Sequence, residues 1–576
     1  MIIFQPTQCR GAGAGVLLLL LGFCRWARAA TPWSMIWSSE SYGPDGPWNA
    51  VQVSIGSSPG QTIALYPGSA WESKILLSYA CDNTSLSSVC YAEKAGVFDP
   101  EESTTWENES ISLAPAGDGW ESYTPGSTDA VPIEVIAKRA LDSIDIGGTV
   151  IPEVDLVGIS QAYQTYPGGQ EYPLQVGLLS LGAPHINQTF SQNGLPAING
   201  TFITSWLWEE STIASYSYGL HIGSASLSIP GSLLLGGYDK NRVLGDVSAQ
   251  PFSERGGYPI QLLDIGLGVA GGGSPWNFLN KTGFLAKGNS SLETGFTVQA
   301  STADPYLYLP QSSCDAIAAE LPVVYQPDYG LYFWNTSDSR YSQIVTSPSY
   351  LAFTFSKNGL NNANITINVP FALLNLTLQP PLIDTPTLYF PCMGTDSTYA
   401  LGRAFFQAAF IGVNWNQGLG NWFIAQAPGP GYSTTVDPTN IEASASTITG
   451  SGSSWEAGWV RYWTELPKSS NSNSSSSPSP NGNEPDSGLS AGAKAGIGVG
   501  CAVGAVLVIA LFVWFFFFRR RRQSDRVLYP NGSGERIATV PPSYPTSNHF
   551  AKSDEVHEMA ENRSQRHEGP YELYER

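Results

Sequence analysis

Short apolar runs broken by turn residues dominate the chain between residues 31 and 465. Within residues 49–56, apolar and polar side chains alternate, as they do in a half-buried strand. Only residues 313–321 and 401–409 have a convincing helical pattern. The hydrophobic pattern therefore predicts an all-β fold for this large part of the chain.

One sequence theme occurs twice in this region. An apolar strand leads into a turn and an ordered segment at residues 63–71, and again at residues 296–310. Such a repeat is typical of a duplicated fold, so we expect two similar β lobes. We place the N-terminal lobe at residues 30–252 and the C-terminal lobe at residues 253–465.

Two further apolar segments lie outside the lobes. Residues 1–29 contain Arg10, an apolar run and Ala27-Arg28-Ala29, the order of a secretory signal peptide with its cleavage site. Residues 495–518 are uncharged and long enough to span a bilayer, and four arginines follow at once. By the positive-inside rule these arginines stay cytoplasmic. We expect a single-pass type I protein in the plasma membrane or another secretory-pathway membrane, with the large domain extracellular or lumenal.

The segments beside the predicted transmembrane helix are polar. Residues 466–494 are rich in Ser, Asn and Pro and predict a stalk, and residues 519–576 predict a disordered cytoplasmic tail. Within the tail, Pro541, Pro542 and Tyr544 match the Pro-Pro-X-Tyr ligand of WW domains. This match implies a WW-domain ubiquitin ligase as a partner.

Charge and composition exclude some functions. The formal net charge is −20, and the only basic cluster lies in residues 519–526, so we expect no nucleic-acid binding. With 5 His in the chain and no metal-ligand spacing, we also expect neither a metal site nor a cofactor.

Cysteines and glycosylation sequons fit an oxidising compartment. Cys81, Cys90, Cys314 and Cys392 lie between the signal peptide and the span, and four cysteines can pair in three ways. We favour the local pairs Cys81–Cys90 and Cys314–Cys392, one in each lobe. Ten Asn-X-Ser/Thr sequons predict heavy N-glycosylation, at Asn83, Asn108, Asn187, Asn199, Asn280, Asn289, Asn335, Asn364, Asn375 and Asn473.

Several blocks of sequence resemble the pepsin-like aspartic proteases. Residues 97–105, the Gly-Ser-Leu-Leu-Leu-Gly-Gly run at 231–237 and the Leu-Gly-Arg-Ala-Phe run at 401–405 are similar to that family. The resemblance extends over about residues 45–430 and implies a bilobal pepsin-like fold. The whole chain looks like a fungal, membrane-anchored member.

The family's chemistry requires two aspartates that share one proton, one from each lobe. Alignment on the family motif puts Tyr66 at the first aspartate and Ser301 at the second, with Pro67 and Ala303 beside them. A phenol and a serine hydroxyl cannot form a shared-proton pair at acidic pH. The resemblance thus predicts a fold whose two catalytic positions are substituted.

Other residues near the motifs are candidates for ligand contacts or for rescue of catalysis. Tyr123, before a Gly-containing turn, is the nearest counterpart of the family's flap tyrosine, and Gly68, Ser69 and Thr302 are further candidate ligand contacts. We interpret Asp304, three residues past the expected position, as outside the motif.

These observations favour a catalytically inactive cell-surface homologue. It would bind a peptide or a glycan in the cleft that holds the substrate in the family it resembles, or act as a surface sensor. The alternative is an active membrane-anchored aspartic endopeptidase. A second alternative is a structural surface glycoprotein without a ligand.

Overall fold

The computed structural model of the 576-residue chain describes residues 30–68, 71–82, 87–107, 121–123, 130–190, 197–253, 257–285, 295–417, 420–433 and 435–468. The predicted signal peptide, transmembrane helix and tail lie outside these ranges, as does the predicted stalk beyond Lys468. Across the ranges described, the helices are too short or too polar to cross a bilayer.

Strands form most of the described structure, as the alternating pattern predicts. The first half contains β1 (Trp33–Ser34), β2 (Trp37–Tyr42), β3 (Trp48–Ile55), β4 (Gln61–Gly68), β5 (Ser73–Leu76), β6 (Glu121–Tyr123), β7 (Ile133–Ile146), β8 (Thr149–Thr165), β9 (Glu171–Pro173), β10 (Gly177–Ser180), β11 (Asn187–Phe190), β12 (Ile198–Thr201), β13 (Ser217–His221), β14 (Ser232–Leu235), β15 (Gly237–Asp239) and β16 (Leu244–Pro251). The second half contains β17 (Pro259–Val269), β18 (Asn280–Lys281), β19 (Phe296–Ala300), β20 (Leu307–Leu309), β21 (Val323–Gln326), β22 (Leu331–Trp334), β23 (Ser349–Lys357), β24 (Leu360–Pro370), β25 (Leu376–Leu378), β26 (Thr387–Phe390), β27 (Cys392–Gly394), β28 (Ala400–Leu401), β29 (Ala409–Asn414), β30 (Asn421–Gln426) and β31 (Pro438–Asn440).

Four short α-helices occur in the described ranges: α1 (Ile203–Glu209), α2 (Gln311–Ala318), α3 (Ser339–Thr346) and α4 (Arg403–Phe406). Helices α2 and α4 overlap the two segments with a helical pattern, although residue 409 already belongs to β29. Helices α1 and α3 were not predicted. The start of α3 carries a recognisable signal, because the Asp338 side chain accepts a hydrogen bond from Arg340 N at 2.8 Å and caps the helix.

Strands of both halves build a central sheet. Its order is β1-β14-β13-β29-β30-β16, and β13 pairs with β29 from Ser217–Asn414 to Leu220–Ile411. Every residue of β13, β14 and β29 is buried, so both faces of the sheet are covered at these strands. This sheet holds the two halves together beneath the site.

Each half also has a large sheet of its own. The sheet of the first half contains β4 and has the strand order β11-β12-β8-β5-β10-β4-β3-β7-β6. The sheet of the second half contains β19 and has the strand order β24-β23-β17-β19-β28-β20-β27. The predicted disulfides are confirmed, with Cα–Cα distances of 5.3 Å for Cys81–Cys90 and 5.7 Å for Cys314–Cys392. Each bridge therefore closes a loop within one half.

Candidate functional site

The two repeated strand-and-turn segments meet at the junction of the halves. Strand β4 ends at Gly68, and Ser301 follows the end of β19. The Thr302 hydroxyl donates a hydrogen bond to the Pro67 carbonyl at 2.8 Å, and a Cβ placed on Gly68 would lie 3.4 Å from the Ala303 Cβ. The structure thus brings together the loops that the sequence singled out.

The sheets repeat one strand arrangement around these loops. In the first half, Leu178 of β10 pairs with Tyr66 on one side and with Lys74 on the other. In the second half, Ala400 of β28 pairs in the same way with Gln299 and Tyr308.

The repeat sets a register between the halves. Tyr66 and Gln299 occupy equivalent positions in the two strand arrangements. Ser301 lies two residues after Gln299, so its structural counterpart in the first half is Gly68, two residues after Tyr66. The sequence alignment had instead matched Ser301 with Tyr66. Neither register places a carboxyl group there. The sequence from Ile63 to Trp71 contains no Asp or Glu.

Tyr66 is buried at the floor of this junction. Its side chain is 5% exposed, and its hydroxyl has no hydrogen-bond partner among the described residues. Burial raises the pKa of the phenol, and the nearby Arg403 charge lowers it by a smaller amount. The Arg403 guanidinium lies 4.2 Å from the centre of the Tyr66 ring, in cation–π contact. Tyr66 is therefore a neutral group over the pH range of acid proteases.

Arg403, the first residue of α4, links the two halves. Its Nη1 donates to the Ala303 carbonyl at 2.6 Å, and its Nη2 lies 3.6 Å from Oδ2 of Asp45. Asp45 in turn accepts a hydrogen bond from Trp48 Nε1 at 2.9 Å. The guanidinium thus fixes the second loop and compensates the buried Asp45 carboxylate.

Asp304 and Lys74 line the same cavity from opposite halves. Burial raises the pKa of the Asp304 carboxyl, and a hydrogen bond with Ser301 and the charges of Arg403 and Lys74 oppose this rise. Burial lowers the pKa of the Lys74 ammonium, and the neighbouring Glu72 and Asp304 oppose that change. Asp304 is thus a cavity-lining acid that favours its neutral form more than an exposed aspartate does.

The cavity at the loops has a volume of about 80 Å³. Its walls are mostly apolar and aromatic, with Tyr166, Tyr306 and Tyr308 deep in the wall and Val131 and Leu174 on the first-half side. The Tyr166 and Tyr306 hydroxyls are hydrogen-bonded at 2.6 Å across the halves. A mostly apolar lining with a few polar groups is typical of a ligand-binding site.

Not every predicted contact residue can be placed. Gly68 and Thr302 lie at the junction, whereas Ser69 and the side chain of Tyr123 lie outside the described residues. The backbone of Tyr123 pairs with Val135 in the hairpin of β6 and β7. Asp304 was interpreted as outside the motif, yet it lines the cavity.

The sequons in the described ranges are accessible. Asn199, Asn280, Asn335 and Asn364 are exposed, and Asn187 and Asn375 are half-buried. The remaining four sequons, at Asn83, Asn108, Asn289 and Asn473, lie outside the described residues. In the ranges that are described, no group of three or more His, Cys, Asp or Glu residues could hold a metal ion.

The fold and the paired loops define a β protein of the aspartic protease class. The family model of eukaryotic aspartyl proteases matches residues 50–419, so the chain belongs to this family. The comparison with curated proteins gives no match. The match agrees with the extent of the resemblance seen in the sequence.

Sequence reasoning missed three residues of the site, Lys74, Arg403 and Asp45. Arg403 stands in the Leu-Gly-Arg-Ala-Phe block, which was used only to identify the family. A cation inside an otherwise apolar block is the signal that could have been noticed, because such a charge needs a buried partner.

Proposed function

We propose that the chain is a catalytically inactive member of the aspartyl protease family that binds an extended peptide in the cleft between its halves. One observation carries the proposal. The two loops that meet in the cleft, residues 66–68 and 301–303, contain no carboxylic acid in either register. Hydrolysis by this family needs two carboxyl groups that share a proton, one as general base and the other as general acid.

The acids that do line the cavity are poor substitutes for this pair. Asp45 Oδ2 lies 3.6 Å from Arg403 Nη2, and Asp304 lies near both Arg403 and Lys74. In a catalytic pair, each negative charge raises the proton affinity of the other acid. A cation next to each acid works against that coupling.

Binding does not require these catalytic carboxyls. The aromatic and apolar walls remain, and the Thr302–Pro67 and Tyr166–Tyr306 hydrogen bonds hold the two halves at a fixed separation. A preformed cavity loses little entropy when a ligand enters, so the scaffold suits recognition without turnover.

The second candidate is an active protease that uses Asp304 with Asp45, the two acids of the cavity. This alternative predicts cleavage at acidic pH that is lost in both Asp304→Asn and Asp45→Asn. Our proposal predicts no cleavage in the parent protein or in either variant.

Binding is tested with the full chain in a mild detergent and a random peptide pool at pH 5. Retained peptides are eluted and sequenced by mass spectrometry. We expect retention of intact peptides, and loss of retention in Leu178→Trp, which places an indole at the cavity wall. Val150→Trp, at an exposed site in β8, is the matched control and should leave binding unchanged. Equal retention by both variants would contradict binding in this cleft.

We also propose that the signal peptide, span and tail make this a single-pass glycoprotein of a secretory-pathway membrane. The uncharged run at 495–518 and the four arginines after it support the orientation. Protease added to sealed vesicles should remove only the tail, and a WW-domain ligase should bind the tail unless Tyr544 is replaced by Ala. Protection of the tail would reverse the orientation.

A further inference from the structure

Unpartnered hydrogen-bond donors collect in the cavity. Tyr66 Oη, Gln175 Nε2 and Arg403 Nε are buried atoms of cavity-lining residues, and none has a hydrogen-bond partner in the described part of the chain. The Lys74 ammonium lines the cavity as well, with Glu72 and Asp304 as its charged neighbours. Buried polar groups are nearly always paired in folded proteins, so these donors are available to the acceptor atoms of a bound ligand or of water.

The two carboxyl groups of the cavity are already engaged. The Asp45 carboxylate accepts from Trp48 Nε1 and lies against Arg403. The Asp304 carboxyl is hydrogen-bonded with Ser301. The cavity therefore offers unpartnered donors and positive charge, which suit a ligand that brings acceptors.

From this imbalance we infer that the cavity binds a carboxylate group of its peptide ligand, with Lys74 as the cation and Tyr66 and Gln175 as supporting donors. This inference rests on the proposed function and adds the chemical class of the ligand. The carboxylate comes from an acidic side chain or from the free C-terminus of the peptide.

The electrostatics of the cavity favour an anion over a neutral amide. The raised pKa of Asp304 extends the pH range in which this acid is neutral, and in its neutral form it no longer cancels a cation. Arg403 and Lys74 then face the Asp45 carboxyl group, while Glu72, the other acid near Lys74, is paired with Arg139, so the balance at the cavity is positive. A charge-assisted hydrogen bond in a poorly hydrated site is stronger than one between neutral groups.

The test uses three fluorescein-labelled heptapeptides with one shared Tyr- and Leu-rich sequence. The first has a central Glu and an amidated C-terminus, the second has Gln in place of Glu, and the third combines the Gln with a free C-terminus. Their Kd values are measured by fluorescence anisotropy at pH 5 with the full chain in detergent. The variants are Lys74→Met, Lys74→Arg and Tyr66→Phe, with Lys357→Met, at a lysine paired to Asp246 on the surface, as the control.

We expect at least one carboxylate peptide to bind the parent protein roughly tenfold more tightly than the neutral peptide. Lys74→Met should abolish this preference, Lys74→Arg should retain part of it, and Lys357→Met should leave it intact. The arm that gains affinity identifies the source as the side chain or the C-terminus.

Equal binding of all three peptides to every variant would overturn the carboxylate inference and leave peptide binding standing. Failure of all three to bind the parent protein, at concentrations where the unbiased pool is retained, would also overturn it. Failure of the pool as well would overturn the proposed function together with the inference.

Discussion

His221 should make the fold sensitive to acid. The imidazole lies in β13 of the central sheet with 0% exposure, and its Nε2 is 3.0 Å from the Gln407 carbonyl. Burial, and to a smaller extent the charge of Arg242, lowers the pKa of His221 from its ordinary value of 6.5 to about 3. The folded protein therefore keeps this ring neutral at a pH where the unfolded chain protonates it.

The size of the effect follows from the shift. A lowered pKa means that the full stability is present above pH 6.5 and is lost progressively as the pH falls towards 3. The shift is roughly 3.5 pKa units, and at about 1.4 kcal/mol for each unit the loss at pH 3 approaches roughly 5 kcal/mol. This is comparable to the total stability of many domains.

The perturbation is His221→Gln, which keeps a donor for the Gln407 carbonyl and removes the titration. Urea unfolding of the full chain in detergent, followed by tryptophan fluorescence, gives the free energy of unfolding at several pH values from 3 to 7. The quantity of interest is the difference between the parent and variant curves, because other groups titrate in both proteins. We expect that difference to change by several kcal/mol in favour of the variant as the pH falls. Parallel curves would refute the reasoning.

Three further predictions concern stability. Burial and the nearby Glu72 raise the pKa of Asp155 well above its ordinary value, so the contribution of this carboxyl to stability is lost as the pH rises above about 3.8. Asp155→Asn should therefore flatten the fall in melting temperature from about pH 4 to 7. An unchanged slope would contradict this. Replacing Cys314 and Cys392 by Ala removes a bridge with a sequence separation of 78 and should lower the free energy of unfolding by roughly 4 kcal/mol. Removing the Cys81–Cys90 bridge, with a separation of 9, should lower it by about 3 kcal/mol, and urea titrations would measure both losses. Thr302→Val removes the hydrogen bond between the loops and should lower stability by about 1–3 kcal/mol, whereas Thr297→Val at an exposed site should have a much smaller effect, and equal losses would contradict the importance of that bond.

Much of the fold could be predicted because its signals are local. Alternating residues such as those of β3 gave the all-β class, and the closeness of Cys81 to Cys90 in the chain gave one bridge. Helix α1 was missed because Phe202, at its N-cap, makes no capping hydrogen bond from its side chain. Packing against the sheets buries Ile203 and Leu207 and stabilises this helix, and a local pattern does not show that packing.

The site was less predictable because its residues come from distant parts of the chain. The two repeated turns indicated where the loops meet, but the register of Tyr66 depends on the pairing of β4 with β10. Lys74 and Asp304 approach each other only after both sheets have formed. A charged residue that lines a cavity formed by two sheets has no local signature, since neither strand pattern alone shows what lies across the gap.

The central claim is that the cleft binds without hydrolysing. The most direct measurement is the rate of cleavage of denatured protein substrates by the purified full chain from pH 3 to 6, with and without an inhibitor that mimics the tetrahedral intermediate. The account predicts no inhibitor-sensitive cleavage at any pH, because the loops at Gly68 and Ser301 supply no carboxyl pair. Inhibitor-sensitive cleavage that disappears in Asp304→Asn would contradict it and would identify a different acid pair as catalytic.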